Sequence, residues 1–166
     1  MRLISGSAWI WIAVAVWQIG CTAARPGLVE QRDAEMTQER LQELILEFGT
    51  EVEGEGGNIR FTFVDVCMLC LSDAANNRMR IVTPITDEDN LTDQHRSMLL
   101  DANFHTTLDA RYATSNGILY AAFIHPLVSL TEDEVLSAIR QVAALARNFG
   151  TTFSSGELNF GSSGEE

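Results

Sequence analysis

Apolar residues recur along this chain with two periods, one helical and one of strands, and the switches between them outline a domain. Leu41, Leu44, Ile45 and Phe48 fall at i, i+3, i+4 and i+7, a single apolar stripe that predicts a helix near 35–48, stopped by Gly49. The acidic, glycine-rich TEVEGEGGN that follows reads as a solvated loop. Its glutamates 51, 53 and 55 lack the Asp/Asn pattern and closing glutamate of a calcium loop. From Ile59 to Leu71 the chain is β-rich, SDAANN makes a loop, and RMRIVTPI reads as a returning strand that Pro84 ends or places at an edge. TDEDN puts negative charge at the start of a second helix, about 88–102, with Met98, Leu99 and Ala102 on its buried side. Residues 106–126 predict a hairpin around Asn116-Gly117, a strong type I′ turn signal. Thr131-Glu132-Asp133-Glu134 is a capping box opening a third helix, which buries Val135, Ile139, Val142, Ala146 and Phe149 and stops at Gly150. TFSSGELNF reads as extended and GSSGEE (161–166) as a disordered tail. The order is helix, strands, helix, hairpin, helix. It predicts an α+β domain over 35–160 with one antiparallel sheet of four or five strands and three helices.

The N-terminus has a different pattern. One charge, Arg2, precedes an uncharged apolar run from Leu3 to Ile19, the layout of an export signal over residues 1–21. Gln18-Ile19-Gly20-Cys21 resembles a bacterial lipobox, whose cysteine is lipidated, although Gln18 stands where leucine is preferred. Thr22-Ala23-Ala24 offers ordinary cleavage instead, and the run is also near the lower limit of roughly 17 residues for a retained anchor. Lipidation at Cys21 is the leading reading. Each of the three places the domain outside the cytoplasm, at the cell envelope or in the periplasm, with residues 22–34 as a tether.

Charge narrows the function. Acidic residues number 23 against 11 basic ones, and every basic residue is arginine. Without lysine there is no Walker-type phosphate loop, Schiff-base chemistry or Ser–Lys dyad. A net charge of −12 without a basic run argues against nucleic acid.

Two stretches invite a chemical reading. Cys67 and Cys70 have CxxC spacing, but in FTFVDVCMLCLS they fall on a strand. Three residues there span roughly 10 Å and point to opposite faces. A disulfide tolerates no more than about 7 Å between Cα atoms, so the two read as unbonded apolar residues. The stretch NFHTTLDARY, with the later FIHPL, gathers His105, Asp109, Arg111 and His125. A two-residue turn at Asn116-Gly117 pairs Ser115 with Ile118, Tyr112 with Ala121, Ala110 with Phe123 and Leu108 with His125. Asp109 and Arg111 then share the outer face as a surface ion pair worth about 0 to 1 kcal/mol, with His105 on that side and His125 on the inner one. A three-residue loop would reverse the relation of the two histidines. Convergence of His95, His105 and His125 with Asp101 or Asp109 lacks any HxH or HExxH spacing, and there is no Gly-x-Ser-x-Gly elbow. No catalytic residue, metal or cofactor is therefore expected.

RMRIVTPI with its following helix, then LDARYATSNGILYAAFIHPL and TEDEVLSAIRQVAALARNFG, resemble the YbjN-like domain, which has the type III secretion chaperone-like fold, over roughly 36–160. The resemblance implies a small acidic module that binds polypeptides, often as a dimer, and supplies no catalytic motif. Secretion chaperones act in the cytoplasm, whereas this chain opens with an export signal. The expected function is a non-catalytic protein-binding module at the envelope, touching membrane only through its lipid or anchor. The rivals are a hydrolase or metal-dependent enzyme using His105, Asp109 and His125, and a structural envelope protein without an exchangeable partner. If Leu119, Ala121 and Phe123 face the core, then Ile118, Tyr120, Ala122 and Ile124 need another cover, and this face is the expected site for a partner or a second copy.

Overall fold

A computed structural model describes residues 35–156 of the protein. Cys21 and the export signal, the tether 22–34 and the tail 161–166 lie outside the described residues. The chain forms α1 (Gln38–Phe48), β1 (Thr50–Glu55), β2 (Asn58–Phe63), β3 (Val66–Asp73), β4 (Arg78–Asp87), α2 (Asp93–His105), β5 (Arg111–Ser115), β6 (Ile118–His125) and α3 (Glu132–Asn148), with a single 3-10 turn at Glu88–Asn90. All strands join one antiparallel sheet in the order β1-β2-β3-β4-β6-β5. The fold is α+β, as the pattern predicts, but the sheet has six strands.

Each helix starts on a threonine whose hydroxyl accepts an N–H that the first turn leaves without a partner. Thr37 accepts from Arg40 at 3.1 Å and Thr92 from His95 at 3.1 Å. Thr131 accepts from Glu134 at 3.3 Å, and the Glu134 carboxylate accepts the Thr131 N–H at 2.7 Å, completing the capping box. The second helix starts at Asp93 rather than 88, because the acidic TDEDN is divided between the end of β4 and the 3-10 turn.

The extra strand is the acidic glycine stretch, which is β1 rather than a loop. It is an edge strand paired only with β2, and Val52 alone is half-buried, so it leaves no alternation of apolar residues to read. Its charged side chains blunt the edge against further pairing. Three hairpin turns place two successive residues at positive φ, as a type I′ turn requires. They are Gly56-Gly57, Val64-Asp65 and Asn116-Gly117. At Gly57 a Cβ would stand 2.4 Å from both the Ser72 carbonyl oxygen and the Gln38 amide nitrogen. That contact lets Gln38 donate to Ser72 and tie α1 to β3.

Pro84 lies inside β4, a central strand, rather than ending it. The β3–β4 ladder stops at Leu69↔Val82 and the β4–β6 register slips between Pro84 and Thr86, so the missing N–H sits at an irregularity that tolerates it. The hairpin keeps the predicted register at Ser115↔Ile118 and Tyr112↔Ala121 but starts only at Arg111. The pairs Leu108–His125 and Ala110–Phe123 do not form, because α2 runs on to His105 and buried Gln141 takes the next backbone groups. Its side-chain oxygen accepts the N–H of Asp109 at 2.8 Å and of Ala110 at 3.0 Å.

The core lies between the helices and one face of the sheet. Ile59, Phe61, Met68, Cys70, Met79, Ile81, Leu119, Ala121 and Phe123 meet Leu41, Leu44 and Ile45 of α1 and Val135, Ile139 and Val142 of α3. Ala146 and Phe149 are only half-buried, and Met98 is exposed rather than on the buried side of α2, which Leu99 and Ala102 form.

Candidate interaction surface

Among the described residues the opposite face of the sheet has no such cover. Partnered residues in a sheet share a face. The register therefore runs one row across five strands, Arg60–Leu69–Val82–Ala122–Arg111, and beside it a second, Leu71–Arg80–Ile124. Tyr120, opposite Pro84 and Ala113, continues the surface toward the hairpin. None of these apolar residues belongs to the core cluster. Leu69, Leu71, Val82 and Tyr120 are half-buried, Ile124 is 60% exposed, and Ala122 is buried among its neighbours. Together they line an open recess of about 350 Å³ in which Arg80 is the one charged side chain. Of the expected partner-facing residues, Tyr120, Ala122 and Ile124 line it, and Ile118 lies half-buried at the turn end of the same strand face. Leu69, Leu71 and Val82 were not expected. They come from β3 and β4, whose alternation in VCMLCLSD and RMRIVTPI was the available signal.

The arginines of this face differ in their ties. Arg111 donates through Nη1 to Thr107 Oγ1 at 3.1 Å and to the carbonyls of Leu108 and Ala110. It makes no ion pair with Asp109, contrary to the expectation, because both residues precede or open the strand and the loop carbonyls capture the guanidinium. Arg60 donates through Nε to Cys67 Sγ at 3.2 Å and stands opposite Glu53. Arg80, between Leu71 and Ile124, has no hydrogen-bond or ion-pair partner among the described residues.

A second apolar surface is on α2. Leu100 is 72% exposed and Phe104 77%, one helical turn apart on its outward side.

The residues of the enzyme reading are divided. His105 is the last residue of α2, its Nε2 3.7 Å from Asp101 Oδ1 one turn back. Asp109 and His125 line one recess of about 280 Å³ with Arg111, Glu134, Ser137 and Gln141, which His105 does not line. There the His125 Nδ1 is 2.8 Å from the Pro126 carbonyl, its ring stacks on Phe123, and the Ser137 hydroxyl accepts from Gln141 at 3.0 Å. No hydrogen bond joins Ser137 to His125 among the described residues, so the nucleophile–base contact of a hydrolase is not formed there. Glu134 is held below the usual carboxylate range by the Thr131 N–H, which is the work of a helix cap. The described residues contain no group of three or more His, Cys, Asp or Glu side chains fit to hold a metal. Cys67 is exposed and Cys70 buried on opposite sides of β3, both with free thiols, and burial pushes the Cys70 thiol up to about 12.

No family model matches the chain, and no curated protein matches it. Solved structures do. A chain of the HopA1–SchA chaperone–effector complex superposes with a TM-score of 0.50 at 14% identity, over 66% of this chain and 88% of its own length. A chain of the ExsC–ExsE complex gives 0.52 at 14% identity, over 74% and 99%. A chain from the complex of the Yersinia pestis type III secretion chaperone SycH with a stable fragment of YscM2 gives 0.52 at 15%, over 68% and 98%. At such identities the likeness is one of fold: the chain shares the type III secretion chaperone-like fold.

Proposed function

We propose that the protein is a non-catalytic polypeptide-binding module, a YbjN-like chaperone-fold domain displayed at the bacterial cell envelope. The observation that carries the binding reading is the uncovered sheet face, where Leu69, Leu71, Val82, Tyr120 and Ile124 keep apolar surface in contact with solvent. With the three described helices packed on the other face, a monomer gains by covering this one. Neighbours of the same fold include a chaperone bound to its effector, which supports a polypeptide as the occupant. The display reading rests on the apolar N-terminal run and Cys21.

Tyr120→Glu and Ile124→Glu test the first part. Crosslinking in the native envelope should lose its captured polypeptide, while circular dichroism and gel filtration report an intact fold. An unchanged crosslink would remove the sheet face from the interface. Cys21→Ala tests the second and should abolish lipid labelling and release the domain from the membrane fraction. If the unaltered chain takes up no lipid label, cleavage near Ala24 is the better account. Self-association is a second reading, favoured by exposed Leu100 and Phe104 on α2. Phe104→Glu should then reduce the solution mass from dimer to monomer.

A further inference from the structure

The centre of the outer sheet face differs in charge from the rest of the protein. The chain carries −12 overall, yet the apolar row Leu69–Val82–Ala122 is bracketed by Arg60 at one end and Arg111 at the other. Four inter-strand steps of about 4.8 Å put these two arginines roughly 19 Å apart along the row. Arg80 lies between them in the adjacent row, flanked by Leu71 and Ile124. Carboxylates on this face stand at its ends: on β1 Glu53 lies opposite Arg60 and Glu51 accepts from Thr62, and β3 and β4 carry theirs only at their last residues. Asp73 is engaged by Asn76, and Asp87 lies opposite Ile118 beside the Asn116-Gly117 turn. An acidic protein has many carboxylates with which to neutralise an arginine. Arg80 is given none among the described residues.

We infer that the occupant of this face is an acidic polypeptide segment, with Asp or Glu interleaved among aliphatic or aromatic residues. The inference rests on the protein-binding reading and adds the partner's chemistry to it. Apolar side chains fill the recess over Val82 and Ala122, and a carboxylate meets the Arg80 guanidinium at its centre. A guanidinium on an apolar floor favours this pairing, because its planar fork takes a carboxylate in two parallel hydrogen bonds and water is displaced around it. A second copy of the chain suits this face poorly. Two-fold pairing of this face with itself brings a second Arg80 into the interface and no carboxylate from the recess to meet either one. Nucleic acid offers phosphates but not the aliphatic side chains that the recess would enclose, and the surrounding −12 repels it. The acidic body of the protein has a further effect on selectivity. A basic segment would be drawn to the many carboxylates of the surface, while an acidic one finds an unneutralised arginine at the centre of this face.

The test is selection of random short peptides on the full chain. The recovered sequences should be rich in Asp or Glu interleaved with Leu, Ile, Val or aromatic residues. Their binding should weaken with added salt and fall at least about tenfold on Arg80→Glu, a change at an exposed position that leaves circular dichroism unchanged. Arg80→Gln should give a smaller loss. Apolar peptides without acidic residues, lost on Ile124→Glu but not on Arg80→Glu, would overturn the acidic partner and leave the protein-binding reading standing. Peptides indifferent to both substitutions, or recovery of none, would overturn both.

Discussion

The two faces of the sheet are made of similar residues and have opposite fates. On the inner side Phe61, Met68, Cys70, Ile81 and Leu119 are sealed under α1 and α3, with at most 1% of their surface exposed. On the outer side Leu69, Leu71, Val82 and Ile124, no less apolar, meet solvent around an arginine. Strand alternation alone would not produce this. An antiparallel sheet covered on one side ordinarily turns polar residues outward. The inner face is apolar because it must hold the fold together. Outer apolar residues, half-buried or exposed, contribute less to the isolated domain, and the proposed binding role accounts for their presence.

Truncation should separate the faces first. Phe61→Ala removes a fully buried ring from the centre of the core and should cost about 3–5 kcal/mol by urea unfolding. Leu69→Ala on the neighbouring strand should cost well under half of that, since its side chain is only half-buried. Equal losses would mean that the outer face is already covered in the isolated protein. Next in size is Gln141→Leu, which leaves the N–H groups of Asp109 and Ala110 without acceptors. The Ala110 group is buried and the Asp109 group partly so; an unpaired buried group costs about 1–3 kcal/mol, so a loss of about 2 kcal/mol is expected, with early amide exchange at the start of β5.

A smaller effect belongs to the helix that seals the inner face. Thr131→Ala removes the α3 cap and should cost about 1 kcal/mol. Part of that contribution depends on pH with a definite sign. The Glu134 carboxyl is held below its ordinary value in the folded state by the Thr131 N–H, so its contribution is present above the unfolded value near 4.5 and lost as pH falls through the lower folded one. Acid titration of stability should therefore be shallower in Glu134→Gln than in the unaltered chain, and the two curves should converge in strong acid. Parallel curves down to that limit would show that the cap holds without the charge.

These elements were not equally legible in the sequence. The three helices and the Asn116-Gly117 hairpin announce themselves through local chemistry: a stripe of apolar residues, a capping threonine, a residue pair suited to positive φ. β1 does not, because an edge strand held by backbone hydrogen bonds buries almost nothing, and Glu51, Glu53 and Glu55 read as a solvated run. The turn between β2 and β3 was hidden for the converse reason. Val64, with φ of 46°, is β-branched and a poor candidate for the left-handed region, so Ile59–Leu71 looked like one stretch. The start of β5 depends on Gln141, 31 residues later than Ala110, and no local signal could place it. The outer face was visible in half. Alternation along GILYAAFIHPL isolates Tyr120 and Ile124, but their union with Leu69, Leu71, Val82 and Arg80 needs the β3–β4–β6 register, a tertiary fact.

The last prediction alters nothing in the protein and compares the faces within one strand. Cys67 and Cys70 lie three residues apart on β3, Cys67 exposed beside Leu69 and Cys70 with 1% of its surface exposed among core residues. The thiolate is the reactive form of cysteine. Burial pushes the Cys70 thiol up to about 12, so near neutral pH it is both inaccessible and almost wholly protonated. Iodoacetamide followed by peptide mapping should label Cys67 in the native protein and Cys70 only at the rate of global unfolding. Urea should speed the second reaction steeply and leave the first nearly unchanged until the unfolding transition. Because Cys67 accepts from Arg60 at one end of the row Leu69–Val82–Ala122, an occupant of the outer face should slow its labelling without touching that of Cys70. Comparable native rates at the two thiols would remove the contrast between the faces. A partner that binds tightly yet leaves Cys67 as reactive as before would place its contact elsewhere, with exposed Leu100 and Phe104 of α2 as the next surface to map.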